Sequence, residues 1–201
     1  MMAADFFVVP NVTGIDISPA AVALARGLAR QKGVSCGFVV ADLLGAETTF
    51  DASFDFAYDW EVLHHVLPEH RPRYVANVHR MLRVGGCYLS VWFSEDDPGL
   101  PGEGKYRHAT LGTLLYLSSE QERRDLFQPW FDVEALSTVE VEGKRGPHRA
   151  VGAWLRKKWR GPLRADRGGR RETPVVNARL VLAVECTATH AVGARWRPTA
   201  A

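Results

Sequence analysis

A chain of 201 residues, 46% hydrophobic and 24% charged, is long enough for one domain with a proper core and barely long enough for two. No apolar stretch approaches the roughly 20 residues that a membrane helix needs, Met1–Pro10 lacks the basic lead of a signal peptide, and Cys36, Cys87 and Cys186 are far apart and without metal-ligand spacing, so the sequence reads as a cytoplasmic protein with reduced thiols, no metal site and no membrane partner. The net charge of +2 hides an asymmetry: residues 156–171 hold eight Lys or Arg against one Asp, while residues 1–155 carry a net −6, which leaves the part that reads as folded without an electrostatic footprint for nucleic acid.

Asp5–Val9 is apolar and β-prone, and Pro10-Asn11 separates it from the next strand. Val12–Ile17 is a short apolar strand carrying Asp16 at its carboxyl end, where open α/β sheets place their ligands. An acid there can hold a ribose through its two hydroxyls, or it can help to start the next helix. Ser18 suits the N-cap, Pro19 the first turn, and Ala20–Arg30 the body of that helix, with Gly33 past its end. Cys36–Ala41 reads as a second buried strand ending at Asp42, and Leu43–Phe50 as a loop or short helix. Phe54–Tyr58 is a third strand leading into Asp59-Trp60, and Glu61–Val66 starts a short helix closed by Leu67-Pro68. Glu69–Arg83 has Tyr74, Val75, Val78, Met81 and Leu82 at helical spacing. Val84–Gly86 is a turn, Cys87–Phe93 a fourth strand, and Ser94–Arg107 a polar loop long enough for a lid or a substrate loop. Ser118–Glu122 has the form of a capping box for a helix to about Phe127, and Phe131–Val141 with Ala150–Arg156 reads as an antiparallel pair. From Lys157 the composition changes. Residues 157–201 read as a basic appendage, disordered or loosely ordered, behind a domain over 1–156, although Val175–Val184 is apolar enough for a strand.

Val12-Thr-Gly-Ile-Asp-Ile-Ser18, Ala41-Asp-Leu-Leu44, Phe54–Val66 and His79-Arg-Met-Leu-Arg-Val-Gly-Gly86 resemble, in order and spacing, the later motifs of class I S-adenosylmethionine-dependent methyltransferases, over about residues 11–156. Tyr58-Asp-Trp60 and the Ser94–Arg107 loop are similar to the branch that methylates small molecules, including thiopurine and thiol methyltransferase relatives. The resemblance implies an α/β, Rossmann-like fold with a mostly parallel sheet and a final antiparallel pair, and S-adenosylmethionine as cofactor. It implies that Asp16 binds the ribose hydroxyls, with Ile17 against the adenine and Ser18 among the cofactor contacts; that Asp42 lies near the adenine amino group, with Ala41 beside it and the backbone N–H of Leu43 meeting the ring; and that Asp59 and Trp60 lie in the segment beside the methionine part and the methyl group. The family also begins with a central strand and a glycine-rich loop ahead of the ribose acid. Residues 1–13 contain no glycine, so an incomplete fold is expected, with that strand and loop missing. Val175–Val184 filling the vacant strand position is the alternative.

No residue reads as an obvious catalytic base. Methyl transfer to a good nucleophile depends on in-line positioning and desolvation, so none is required. His64 and Tyr106 are the weak substrate candidates, each with a plain structural alternative: a packed ring and a surface loop. Three functions compete: a methyltransferase acting on a small molecule, impaired by truncation; a non-catalytic, partner-binding remnant; and a nucleic-acid-associated enzyme served by the basic run, which the acidic domain disfavours.

Overall fold

The computed structural model describes residues 11–45, 50–100, 102–109, 112–143 and 146–158, and the backbone of 179–184. In chain order the elements are β1 (Asn11–Asp16), α1 (Pro19–Gln31), β2 (Gly37–Val40), β3 (Phe54–Trp60), α2 (Arg71–Met81), β4 (Leu82–Phe93), β5 (Tyr106–His108), β6 (Leu114–Tyr116), α3 (Glu120–Phe127), β7 (Phe131–Gly143), β8 (Gly146–Lys157) and β9 (Arg179–Val184). Seven strands form one sheet in the order β2-β1-β9-β3-β4-β8-β7, and β5 and β6 form a separate hairpin. The strands from β2 to β4 run parallel, while β8 and β7 close the far edge antiparallel, as the sequence leads one to expect.

Local chemistry explains most boundaries. The Ser18 hydroxyl accepts the Ala21 N–H and Pro19 occupies the first turn of α1; past its end Gly33 takes φ +65°, a conformation that favours glycine. Ser119 and Glu122 satisfy each other's backbone N–H groups at the start of α3, a complete capping box. Gly14 is required by close approach: a Cβ there would lie 2.7 Å from the Phe38 ring on β2.

Three expectations change. Glu61–Val66 makes one hydrogen-bonded turn, with His65 N–H on Val62 O, instead of a helix. The next helix ends at Met81, and Leu82 already pairs with Phe54. The Val84–Gly86 turn becomes a bulge inside β4, because the register moves from Phe54↔Leu82 to Phe56↔Cys87. The third change concerns the strand position expected to be vacant. It is filled by β9, which runs parallel to both neighbours: Asn11–Ile15 face Arg179–Ala183 on one side, and Phe56–Trp60 face Leu180–Val184 on the other. Residues 179–184 are therefore central to the sheet and no part of an appendage. The physical reason is twofold. Leu180–Val184 is a continuous apolar run, the pattern of a strand buried on both faces, and without it β1 and β3 would each present an unpaired edge. The remaining residues of the expected appendage, 159–178 and 185–201, lie outside the described residues.

The main core lies between α2, α3 and one face of the sheet, around Tyr74, Val75, Met81, Tyr88, Trp92, Phe127, Phe131 and Leu155. Among the described residues, no helix is long and apolar enough to cross a membrane.

Candidate functional site

The carboxyl ends of β1 and β2 bring together six of the sequence candidates. Asp16 ends β1, and its Oδ1 accepts the Ser18 N–H at 2.7 Å, which turns the chain into α1. Its Oδ2 has no partner among the described residues. Both sequence readings of Asp16 are thus compatible, Oδ1 serving the helix entry and Oδ2 being left over. Ala41 donates its N–H to Asp16 O at 3.0 Å and so ties the two strand tips together. Asp42 Oδ1 accepts the Leu44 N–H at 2.7 Å, and the Gly45 N–H closes onto Asp42 O. Asn77 of α2 fixes this turn from below through Leu43 O at 2.7 Å and Gly45 O at 3.1 Å. Ile17 is 66% exposed and Val40 46%, so two apolar side chains stand in solvent beside two carboxylates. That surface costs free energy unless a flat apolar ligand covers it.

The side chains of Asp59 and Trp60 turn to opposite faces of the sheet. Strand alternation turns the Asp59 carboxylate into the core, where it is 1% exposed. It accepts hydrogen bonds from Ser90 (2.8 Å), from Tyr74 (3.4 Å) and from Tyr88. Burial raises its pKa to about 6, against the lowering effect of those hydroxyls and of the Arg123 charge. Trp60 packs against the Val91, Val141 and Ala150 cluster on the opposite face. Neither side chain lies free at the edge; only the backbone at the end of β3 does.

The weak substrate candidates also separate. His64 is buried and stacked on Phe93 with centroids 4.7 Å apart, and its Nδ1 accepts the Phe93 N–H at 3.5 Å. Burial, aided by the nearby cations, drives its pKa well below the ordinary histidine value, so it is a neutral packed ring. Tyr106 lies exposed on β5 with its ring edge-on to Tyr116.

Two arginines that sequence reasoning passed over organise this side. Arg71, in the first turn of α2, donates to Val66 O (2.7 Å), Ser118 Oγ (2.7 Å) and Tyr116 O (2.9 Å), and lies over the Tyr116 ring. It pins the β5–β6 hairpin onto the turn after β3. Arg123 of α3 is fully buried, 4.7 Å from the Trp92 ring centroid, and its guanidinium has no hydrogen-bond acceptor among the described residues. Nothing in the sequence marks either one, since an arginine within a helix ordinarily reads as solvated.

Comparison with known proteins agrees with this geometry. A family model described as a methyltransferase domain matches residues 2–86. Among solved structures, an S-adenosylmethionine-dependent methyltransferase from Methanosarcina mazei is similar at 24% identity and TM-score 0.63, over 73% of this chain and 82% of that one. The 1,6-didemethyltoxoflavin-N1-methyltransferase of Burkholderia thailandensis, solved with its substrate and S-adenosylhomocysteine, is similar at 24% identity and TM-score 0.56, over 73% of this chain and 61% of that one. A protein of echinomycin biosynthesis, studied for the conversion of a disulfide bond into a thioacetal group, is similar at 23% identity and TM-score 0.62, over 75% of this chain and 68% of that one. Residues 2–86 are thus similar to a methyltransferase domain, and the sheet has the fold of the S-adenosylmethionine-dependent methyltransferases it resembles.

Proposed function

We propose that the chain transfers a methyl group from S-adenosylmethionine to a small molecule. The observation that carries this reading is the pair of carboxylates on adjacent strand tips, tied by the Ala41–Asp16 hydrogen bond, with Ile17 exposed beside them. The residues present fit a nucleoside. Asp16 Oδ2 can accept from a ribose hydroxyl, Asp42 from an exocyclic amine, and Ile17 can cover a purine face. The cofactor would supply a methyl group activated on a sulfonium. The chain supplies position and dryness: β9 and β3 end at the same edge, and Arg71 holds the β5–β6 hairpin over the turn beyond β3. A small acceptor is supported by this short cover and by the small substrate of the Burkholderia neighbour.

Calorimetric titration of the purified protein with S-adenosylmethionine tests the reading, which fails if no binding is seen at millimolar cofactor. Asp16→Ala should weaken that binding by at least about 1 kcal/mol, roughly fivefold, because it removes charge-assisted hydrogen bonds. An unchanged affinity would remove Asp16 from the site. A second reading, a non-catalytic relative, is favoured by one observation. Residues 185–192, which come directly after the central strand, contain no glycine, where the resemblance implies a glycine-rich loop. Absence of cofactor binding together with a normal unfolding transition would select it.

A further inference from the structure

The same edge of the sheet carries a paired imidazole and carboxylate that the cofactor assignment does not use. His148, near the start of β8, meets Asp97 in the loop after β4, with Nδ1 and Oδ2 2.7 Å apart. A carboxylate only accepts, so Nδ1 carries a proton, and in the neutral imidazole it is Nε2 that keeps the lone pair. The Asp97 side chain is fully buried while that of His148 is 20% exposed. The two oxygens of Asp97 divide the work: Oδ1 accepts the Gly99 and Arg149 N–H groups, both at 3.0 Å, and Oδ2 is given to the histidine. Gly99 makes room for the ring, since a Cβ there would lie 2.5 Å from it. A row of rings links this pair to the turn beyond β3: His148 to Phe93 at 4.8 Å, and Phe93 to His64 at 4.7 Å. His148 is thereby fixed in place, fixed in tautomer and reachable, at the carboxyl edge of β4. Buried His64 is not reachable.

We propose that His148, oriented by Asp97, is the general base for a hydroxyl-bearing methyl acceptor, a phenol or enol. This rests on the methyltransferase reading above. The acceptor O–H proton passes to His148 Nε2, and the freed oxygen pair forms the new bond to the methyl carbon. The carbon–sulfur bond of the sulfonium breaks with its pair remaining on sulfur, and the imidazolium, paired with Asp97, releases its proton to water. Asp97 is a positioning residue.

The probe is 4-nitrophenol, whose ionised form absorbs in the visible, added to the full chain with S-adenosylhomocysteine at a pH where the free phenol is mostly neutral. The wild type should raise the phenolate band. His148→Asn should lose it while binding S-adenosylhomocysteine as the wild type does by calorimetry. Asp97→Asn, with Oδ1 retained for the loop, should keep the wild-type melting temperature, diminish the band, and move the tautomer of the His148 ring seen by nitrogen NMR. Phenol turnover by His148→Asn should fall at least about 100-fold, the usual scale of general-base catalysis. Wild type that binds S-adenosylhomocysteine but raises no band, or a band that persists in His148→Asn, overturns the assignment of His148 and leaves the methyltransferase reading standing. Failure of the wild type to bind S-adenosylhomocysteine overturns both.

Discussion

Leu182→Pro in β9 is expected to cost at least about 3 kcal/mol and to abolish cofactor binding. Leu182 faces Gly14 of β1 and Tyr58 of β3, so its strand has a ladder on each side. Proline there removes an N–H from one ladder, leaves a buried carbonyl without a partner, and places a ring where a neighbouring backbone must approach. Domains of this size are stable by only about 5–15 kcal/mol, so the loss is a large share of the whole. The consequence for the site is direct. β1 and β3 do not pair with each other; β9 lies between them. Apart from β9, the unit that carries Asp16 and Asp42 is held to the rest by Ile15, by the apolar contacts of Ala41, Leu43 and Leu44, and by the two Asn77 bonds. Urea unfolding followed by circular dichroism, with cofactor titration alongside, measures both effects. A variant with the wild-type transition would show that β9 does not hold the centre of the sheet.

The same strand marks the limit of what could be read along the chain. Signals that act within a few residues were legible. Ser18 and Pro19 start α1, Ser119 and Glu122 start α3, and the two carboxylate-tipped strands lie side by side with their acids at one edge. Such features depend on backbone groups three or four positions away. The partners of β9 lie more than a hundred residues back, and no local pattern couples Arg179 to Asn11. Asp59 shows a subtler failure. Alternation along Phe54–Trp60 does not by itself tell which face is buried, and it is the Asp59 face that packs into the core, where Tyr74, Tyr88 and Ser90 supply hydroxyls to the acid from elements distant in sequence. His148 and Asp97, 51 residues apart, are likewise joined only by the antiparallel return of β8 beside β4.

Asp59 also makes the stability of the protein depend on pH in an unusual direction. Its carboxyl titrates near the ordinary value of 3.8 when unfolded and at about 6 when buried. Between those values the folded state holds a proton that the unfolded chain has released. Stability from this group is therefore full below about pH 4 and falls as pH rises toward about 6, by about 3 kcal/mol for roughly two units, and is level above that. Glu122 works in the opposite sense and in a lower window. Its partial burial pushes the carboxyl up, but the Lys105 ammonium and the hydrogen bonds from Ser119 and Tyr116 together outweigh that and hold it down to about 2. Urea unfolding at steps from about pH 4 to pH 7 should show the wild type losing about 3 kcal/mol more than Asp59→Asn, which has no such proton to lose. An equal loss in both proteins would mean that the buried carboxylate is ionised throughout. Arg123 decides how far the effect extends. Its charge lowers the pKa of Asp59 without a direct hydrogen bond, and at neutral pH the two are opposite charges sharing one dry interior. Arg123→Met should then raise the Asp59 pKa further and carry the pH-dependent loss to higher pH, even though a methionine packs well against Trp92 and removes a buried guanidinium that is costly by itself. The interior around Asp59 and Arg123 is in this way held by a balance of two buried charges, one of which titrates at about 6.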